Sequence, residues 1–382
     1  MKYCTNCLLP DTKPDLEFDE NGICDACRAA EEKEKIDWNK RKSELKEILN
    51  KYKSKGNGNY DCIIPVSGGK DSHYQTHVIK NEFGLNPLVV SFHPRDFTEI
   101  GRKNLDSLKN LGVDCIEFSV NPLTYKKLAS YGFRELGDPA CPEHIGIFTI
   151  PVKIAVAFKI PLLIWGENPQ LEYGGPAAAR ASPYLDLEWN KKFGGYFREK
   201  LDFATLTNLG IKESELSFCQ YPTDDEIKSV GVTGLFLGYY LKWDARKQLE
   251  IVKKSGFTVL EEPNEGTYTN YENLDTKYVG LHDYFKFLKF GYARATDHAS
   301  IDIRNHRISR DEGLELVKKH EGQIPTKYLK EFLDEFELSM DDFIQICDKF
   351  TNKELFKKNI DGNLLRDKSN NIEKITYDNQ KI

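Results

Sequence analysis

No apolar run in this sequence approaches the roughly 18 residues that a membrane-crossing helix needs. The opening residues Met1-Lys2-Tyr3-Cys4 lack the apolar stretch of a secretory signal, so the expectation is a cytoplasmic protein with no membrane partner. An excess of positive charge is missing too: 54 Lys and Arg stand against 60 Asp and Glu, a net charge of −6. General nucleic-acid binders are usually basic because neutralising phosphates drives their association, so no nucleic-acid partner is expected. The nine cysteines are an odd number, with four in the first 27 residues and five scattered. In a cytoplasmic chain that distribution argues against a disulfide framework. There is no internal repeat and no low-complexity tract.

The 382 residues suit two domains, or one large domain with appendages, and 40% hydrophobic residues are enough for a sizeable core. Residues 1–30 form a compact cysteine-rich module. Residues 31–59 read as a linking helix, with Ile36, Leu45, Ile48 and Leu49 near helical spacing, ended by Gly56-Asn57-Gly58-Asn59. From Tyr60 strands and helices alternate. Strands are expected at 61–66, 88–92, 113–120 and 161–166, and helices at 98–111, 145–158 and 244–254. Pro65 is awkward for a central ladder. Periodicity leaves Gly234–Trp243 open as a fifth strand or a helix. The pattern implies an α/β domain over 60–260 with a doubly wound, parallel, five-stranded sheet. A Gly-, Pro- and aromatic-rich insertion at 167–225 reads as a cover, and 261–382 as a helical C-terminal region whose last ~20 polar residues fray.

Three groups of residues carry chemistry. Ser67-Gly68-Gly69-Lys70-Asp71-Ser72 lies between a strand and a helix. Two glycines allow close backbone approach to an anion, and the unpaired N–H groups at the helix start point toward it. Ser67 and Ser72 add hydroxyls and Lys70 adds charge. Asp71 beside phosphate makes sense as a magnesium ligand. A Walker A loop is excluded, because Ile64 stands where its first glycine belongs. The second group is Cys4-x-x-Cys7 with Cys24-x-x-Cys27, two knuckles sixteen residues apart. That spacing suits four thiolates on a structural zinc ion in a zinc ribbon, with an iron–sulfur cluster as the alternative. The third, His282 to Ser300, is dense in aromatics and Lys, Arg, His and Asp. On charge pattern alone it is a helix with a solvated basic face.

The SGGKDS loop after the first strand resembles the signature of the PP-loop ATP pyrophosphatases, the adenine nucleotide alpha hydrolase-like group. That resemblance implies ATP cleaved between its α and β phosphates, with AMP passed to a carbonyl-type oxygen. It places Ser91 and Phe92 against the adenine, and Gly166, Glu167 and Asn168 near the ribose, the α-phosphate or the acceptor. With the amino-terminal Y-C-x-x-C segment, the second knuckle, Trp165-Gly166-Glu167-Asn168 and the K-F-G-x-A-R-A-T-D run, most of residues 1–320 resembles the N-acetyl sugar amidotransferases of surface-polysaccharide and nonulosonic acid pathways. This implies that the amide oxygen of an N-acetylamino sugar is adenylated and replaced by ammonia, giving an acetamidino group. Lys286, Lys289, Arg294 and Asp297 would then line the active site. The sugar is left open among pseudaminic acid, legionaminic acid and a nucleotide-linked diacetamido uronic acid.

Neither glutaminase arrangement is present: there is no G-x-C-x-G, and Cys4 belongs to a knuckle. The resemblance therefore implies separate glutaminase and cyclase-like subunits as the ammonia source. A tRNA-thiolating PP-loop enzyme is the alternative, needing a relay pair such as Cys141 and Cys219. Cys141-x-x-His144 reads as a loop residue and a helix-start histidine, and Cys62 and Cys115 as core. His73 is close enough to the loop to reach substrate, whereas His77 is packing. Glu172, Tyr173 and Arg180 are candidates to read the sugar.

Overall fold

The computed structural model describes residues 1–53, 60–185 and 203–375. Five strands, β1 (Cys62–Pro65), β2 (Pro87–His93), β3 (Asp114–Ser119), β4 (Leu162–Trp165) and β5 (Thr233–Phe236), form one sheet in the order β3-β2-β1-β4-β5. Every pairing is parallel. Parallel strands need long crossovers, and the intervening helices cover both faces. Side chains alternate accordingly. Ile63, Leu88, Val90, Phe92 and Leu163 enter one buried cluster, and Cys62, Ile64, Val89, Leu162 and Ile164 enter another on the opposite face. The segment left open in sequence is both elements in turn: β5, then a short helix at Leu237–Tyr240.

Chain order reverses beside β1, since β2 and β3 are added on one side and β4 and β5 on the other. Pro65 sits at that reversal. The Val66 N–H donates to the Val90 carbonyl at 2.9 Å, so by alternation the missing N–H of Pro65 falls on the β4 side. Pairing with β4 is registered only at Ile63–Leu163, whereas pairing with β2 continues to Pro65. The proline is therefore tolerated in a central strand because it lies where the ladder ends. Such a switch point opens a crevice outside the carboxyl ends of the strands.

The amino-terminal region departs from the single linking helix expected over 31–59. Two helices, α1 (Asp25–Lys33) and α2 (Trp38–Tyr52), are separated by a turn, and Asp37 caps the second through the Lys40 N–H at 3.0 Å. The Gly56–Asn59 break lies outside the described residues, as does 186–202 of the expected cover. Its nearer part adds Leu185 to the β5 edge through a 3.0 Å bond to the Gly234 carbonyl. After β1 come α3 (Lys70–His77), α4 (Glu99–Lys109), α5 (Pro122–Tyr131) and α6 (Cys141–Phe158). Thr98 accepts from the Gly101 N–H to start α4 and donates to the Leu274 carbonyl.

Helix α6 corrects the reading that no run approaches membrane-spanning length: it has 18 residues and mean hydropathy 1.3. Half of it is buried, against β1 and β2, as expected of the central helix of an α/β layer. Further helices at Val279–Phe290, Leu329–Phe336 and Met340–Phe350 contribute Phe285, Phe332 and Phe343 to the same cluster as Ile63 and Phe133. Part of the expected frayed end is structured instead, with bridges pairing Lys358 with Leu364 and Arg366 with Ile372.

Gly146 on α6 lies against the Phe92 ring so closely that an added Cβ would come within 2.2 Å of it. Gly146→Ala is expected to destabilise the protein by about 1–3 kcal/mol, read as a lower urea midpoint with an unchanged slope.

Candidate active site

The SGGKDS loop occupies the switch point. Gly68 has φ +89°, and a Cβ there would meet Leu105 of α4 at 2.9 Å, so only glycine lets the loop lie on that helix. Gly69 is the N-cap of α3, with φ −69°, and a Cβ there meets only the Ser67 hydroxyl at 3.3 Å. Both serines brace the loop: Ser72 Oγ accepts from the Ser67 N–H at 2.9 Å, and Ser67 Oγ accepts from the Gly69 N–H at 3.2 Å. Lys70, buried to 3% exposure, donates to Asp71 Oδ1 at 2.5 Å and Gln248 Oε1 at 3.3 Å, and lies 3.6 Å from Glu272. Burial alone would lower its pKa, but the Asp71 and Glu272 carboxylates outweigh that and hold it above its ordinary value.

Cavities flank this loop on two sides. An apolar slot of about 260 Å³ lies at the strand ends, lined by Val90, Phe92, Phe148, Pro151, Trp165 and Phe236. Phe148 and Trp165 stack at 5.6 Å between ring centres. A polar cavity of about 210 Å³ is lined by Lys70, Asp71, Glu272, Arg294, His298 and Arg307. Glu167 borders both. Burial and the nearby Asp71 carboxylate push Glu167 up to about 7. Burial likewise raises Glu272. Carboxylates crowded around Asp71 in this way suit a site that receives a divalent cation alongside phosphate oxygens. Burial drives His298 down to about 3, so it is neutral at pH 7.

A third cavity, about 420 Å³, adjoins the other two through Pro169 and Tyr173. Lys13, Asp138, His144, His282, Lys286 and Lys289 line it. Lys286 pairs with Asp297. Lys289 donates to the carbonyls of Leu136 and Gly137 at 3.0 and 2.8 Å, holding the loop before α6. Arg294 belongs to the polar cavity, where a fork to Asp283 at 3.0 and 3.1 Å fixes its guanidinium plane. Burial pushes Asp283 up, but the Arg294 guanidinium holds it below the usual carboxylate range. The expected quartet is thus divided between two cavities, and Asp297 acts by pairing with Lys286.

Other expected residues are placed differently. Asn168 is fully buried. It accepts from the N–H groups of Gln170 and Leu171 at 3.0 and 3.4 Å and donates to the Ala179 carbonyl at 2.8 Å, so it shapes the post-β4 loop rather than facing ligand. Ser91 is fully buried between Val90 and Phe92, and alternation turns it away from the slot that both neighbours line. Gly166 borders the slot, and a Cβ there would meet Gln75 Nε2 at 2.5 Å. His73 does not reach substrate: it is fully buried, contacts the Asn104 carbonyl at 2.9 Å and is pushed down to about 4 by burial. Arg180 pairs with Asp25, and Glu172 pairs with Lys33 at 2.6 Å. Glu272, Gln248 and Arg307 come from stretches without a motif, and His298 lies in the His282–Ser300 run, whose charge pattern does not single it out.

The four amino-terminal cysteines converge. Cys4 Sγ lies 3.8 Å from Cys27 Sγ, and Cys7 Sγ 3.7 Å from Cys24 Sγ. Thiolates at about 2.3 Å around a tetrahedral zinc ion sit about 3.8 Å apart, far beyond the ~2.05 Å of a disulfide. The residues therefore fit zinc, and the closed set makes a structural site. Backbone N–H groups of Cys7 and Cys24 approach Cys4 Sγ at 3.4 and 3.2 Å. Arg310 donates to the carbonyls of Cys7 and Cys4, while Arg304 contacts Cys7 Sγ at 3.9 Å and the Glu172 carbonyl at 2.8 Å. The ribbon is thereby tied to the post-β4 loop. Asp25, next to Cys24, also accepts from the Gly175 N–H at 3.1 Å. Among the described residues, the other group with metal-ligand proximity is Asp138, His144 and His282.

Residues 265–367 match the family model for LPS biosynthesis protein WbpG-like, C-terminal domain. That match contains His282, Lys286, Lys289, Arg294 and Asp297. Over 88 residues the chain is 38% identical to Uncharacterized protein MJ1599 of Methanocaldococcus jannaschii, covering 23% of this chain and 31% of that relative. NMN synthetase from Francisella tularensis is a solved structure with 14% identity, covering 60% of this chain and 99% of its own, at a TM-score of 0.27.

Cys24→Ser is expected to lower bound zinc below one ion per chain and to loosen the post-β4 loop through Asp25 and Arg304. Elemental analysis and proteolysis around Gly174–Gly175 measure the two effects. Full zinc occupancy in the variant would contradict the four-thiolate site.

Proposed function

We propose that the protein is an ATP-dependent, AMP-forming amidotransferase acting on an N-acetylamino sugar in surface-polysaccharide biosynthesis. The observation that carries this reading is the meeting of three cavities around Glu167–Tyr173, with the SGGKDS loop between the first two. Adenine fits the aromatic slot. Pro151 has no N–H, so the Ile147 carbonyl lacks its helical donor at the rim of that slot, where a purine amino group can supply one. Pyrophosphate belongs on the loop N–H groups and the Lys70 side of the polar cavity. The acceptor sugar belongs in the third cavity, whose lysines suit an acidic sugar. The WbpG-like match over 265–367 contributes residues to both the second and third cavities and supports the lipopolysaccharide context.

The amide oxygen attacks the α-phosphorus and pyrophosphate leaves, forming an imidate esterified to AMP. Ammonia adds to the imidate carbon, AMP departs, and an acetamidino group results. Lys70 and Arg294 would offset the charge that builds on the phosphates. Asp71, with Glu167 adjacent, would hold magnesium, which when bound supplies charge neutralisation between the phosphate oxygens. Thiolation is disfavoured, because burial pushes Cys219 up to about 12 and Cys141 higher still, leaving no ready thiolate pair.

Gly69→Val places a branched side chain where the pyrophosphate is assigned without disturbing the Gly68–Leu105 contact. ATP affinity should fall by at least about tenfold, which is about 1.4 kcal/mol, while the unfolding midpoint stays close to wild type. Calorimetric titration with ATP checks this, and unchanged affinity would remove the phosphate-loop assignment.

Ammonia is proposed to come from separate glutaminase and cyclase-like subunits. The purified chain, given ATP and ammonium chloride with a panel of N-acetyl sugars, should yield the mass change of oxygen exchanged for NH. Glutamine should replace ammonium only when a glutaminase subunit is added. Turnover of glutamine by the chain alone would overturn this division of roles.

A further inference from the structure

Beneath Lys286 and Lys289, the third cavity holds a cluster to which the reading above assigns no task. Asp138, only 6% exposed, sits on the loop ahead of α6 and presents both carboxylate oxygens to histidines. His144 Nδ1 lies 2.8 Å from Oδ2, and His282 Nδ1 lies 3.5 Å from Oδ1. The two imidazole rings meet edge to face at 4.7 Å. His144 comes from the first turn of α6 and His282 from the first turn of Val279–Phe290, so two distant segments deliver one histidine each. A carboxylate can only accept hydrogen bonds, so it fixes the His144 ring with the proton on Nδ1, while His282 Nδ1 stands within ion-pair range of the other oxygen. Proton exchange with the cavity then runs through Nε2.

We propose that His144 and His282, oriented by Asp138, are the base that takes a proton from the ammonia nitrogen as it adds to the adenylated imidate. This rests on the amidotransferase reading and names the residues of its second step. The nitrogen lone pair forms the new C–N bond, giving a tetrahedral carbon that bears an ammonium group. One N–H proton passes to Nε2, the electron pair left on nitrogen expels AMP as the C–O bond breaks, and the imidazolium returns the proton to the amidine. Without that transfer, the ammonium is the easier group to expel and the addition reverses.

Charge supports a proton acceptor over a metal site. Lys13, Lys286 and Lys289 line the same cavity, with Asp15 and Asp138 as the acidic groups facing them, so a divalent ion meets more repulsion there than a singly charged imidazolium. Asp138 Oδ1 already accepts from the Ala140 N–H at 3.1 Å. Burial lowers the His282 pKa despite the Asp138 carboxylate beside it. The neighbouring histidines outweigh burial and hold the Asp138 carboxyl below its usual range.

The test separates the two steps with the whole chain. In the absence of ammonia, wild type should exchange labelled pyrophosphate into ATP when the sugar is present, which reads adenylation alone. His144→Asn and His282→Asn should keep that exchange while amidine formation falls about 100-fold or more. AMP should still be released as the imidate hydrolyses. Asp138→Asn should give the same split, and ring ¹⁵N shifts should show His144 leaving the Nδ1–H tautomer. His144→Gln serves as a second variant should His144→Asn unfold. Equal loss of exchange and amidination, or undiminished amidination, would overturn the proposal. So would a second transition-metal ion in wild type that is lost in His144→Asn. If wild type shows no sugar-dependent exchange, the amidotransferase reading itself falls and this inference falls with it.

Discussion

The reversal of winding beside β1 is the constraint on which the site depends. Strands added first on one side and then on the other send successive connections apart, and the gap between them cannot be closed by either. Pro65 reinforces this by withholding an N–H from the β4 side at the end of the ladder. Into that gap the chain places the SGGKDS turn, and each surrounding element contributes to a cavity wall. The aromatic slot draws on β2, α6, β4 and β5, and the polar cavity draws on α3 and the segments that follow β5.

Much of this was legible in sequence because its signals are local. The SGGKDS loop needs only six consecutive residues, and the βα alternation repeats a period that composition reveals directly. The cysteine knuckles likewise carry their meaning in their spacing. What stayed hidden depends on three-dimensional convergence. Glu272 approaches Lys70 across about 200 residues of sequence, and no periodicity marks it. His144 and His282 each look unremarkable alone and acquire a role only when Asp138 brings them together. Asn168 shows the opposite failure: beside Glu167 it resembles a ligand-facing residue, but Asn followed by Pro is also a strong helix start, and the cap won. His73 was misplaced because nearness to the loop in sequence ignores which face of α3 it occupies. The linking helix was read as continuous because charged residues at helical spacing do not mark the turn at Lys35–Ile36.

The ribbon illustrates how a small cysteine module can position a neighbouring loop while also lending Lys13 and Asp15 to a cavity wall. Its own core is minimal, and its cysteines occupy one cluster with Tyr292 and with Ala299 and Ile303 of the helix Arg294–Arg304. Arg304 bridges a ligand cysteine to the backbone of Glu172, and Asp25 reaches the turn at Gly175. The loop that borders all three cavities is thus held by its own Asn168 cap and by contacts to the cysteine module and the C-terminal helices.

That arrangement also sets an order of events in synthesis. Leu8 is bonded to Ser300 and Cys7 to Arg310, separations of 292 and 303 residues. A ribosome adding about 5–20 residues per second leaves an interval of roughly 15–60 s between the emergence of the cysteines and that of the helices they dock on. Throughout that interval the thiols lack Arg304 and Arg310, so a metal ion bound early would shield them from oxidation. The contact that clamps the loop therefore forms only once Arg304 and Arg310 have been made, with the helices Leu329–Phe336 and Met340–Phe350 still to follow.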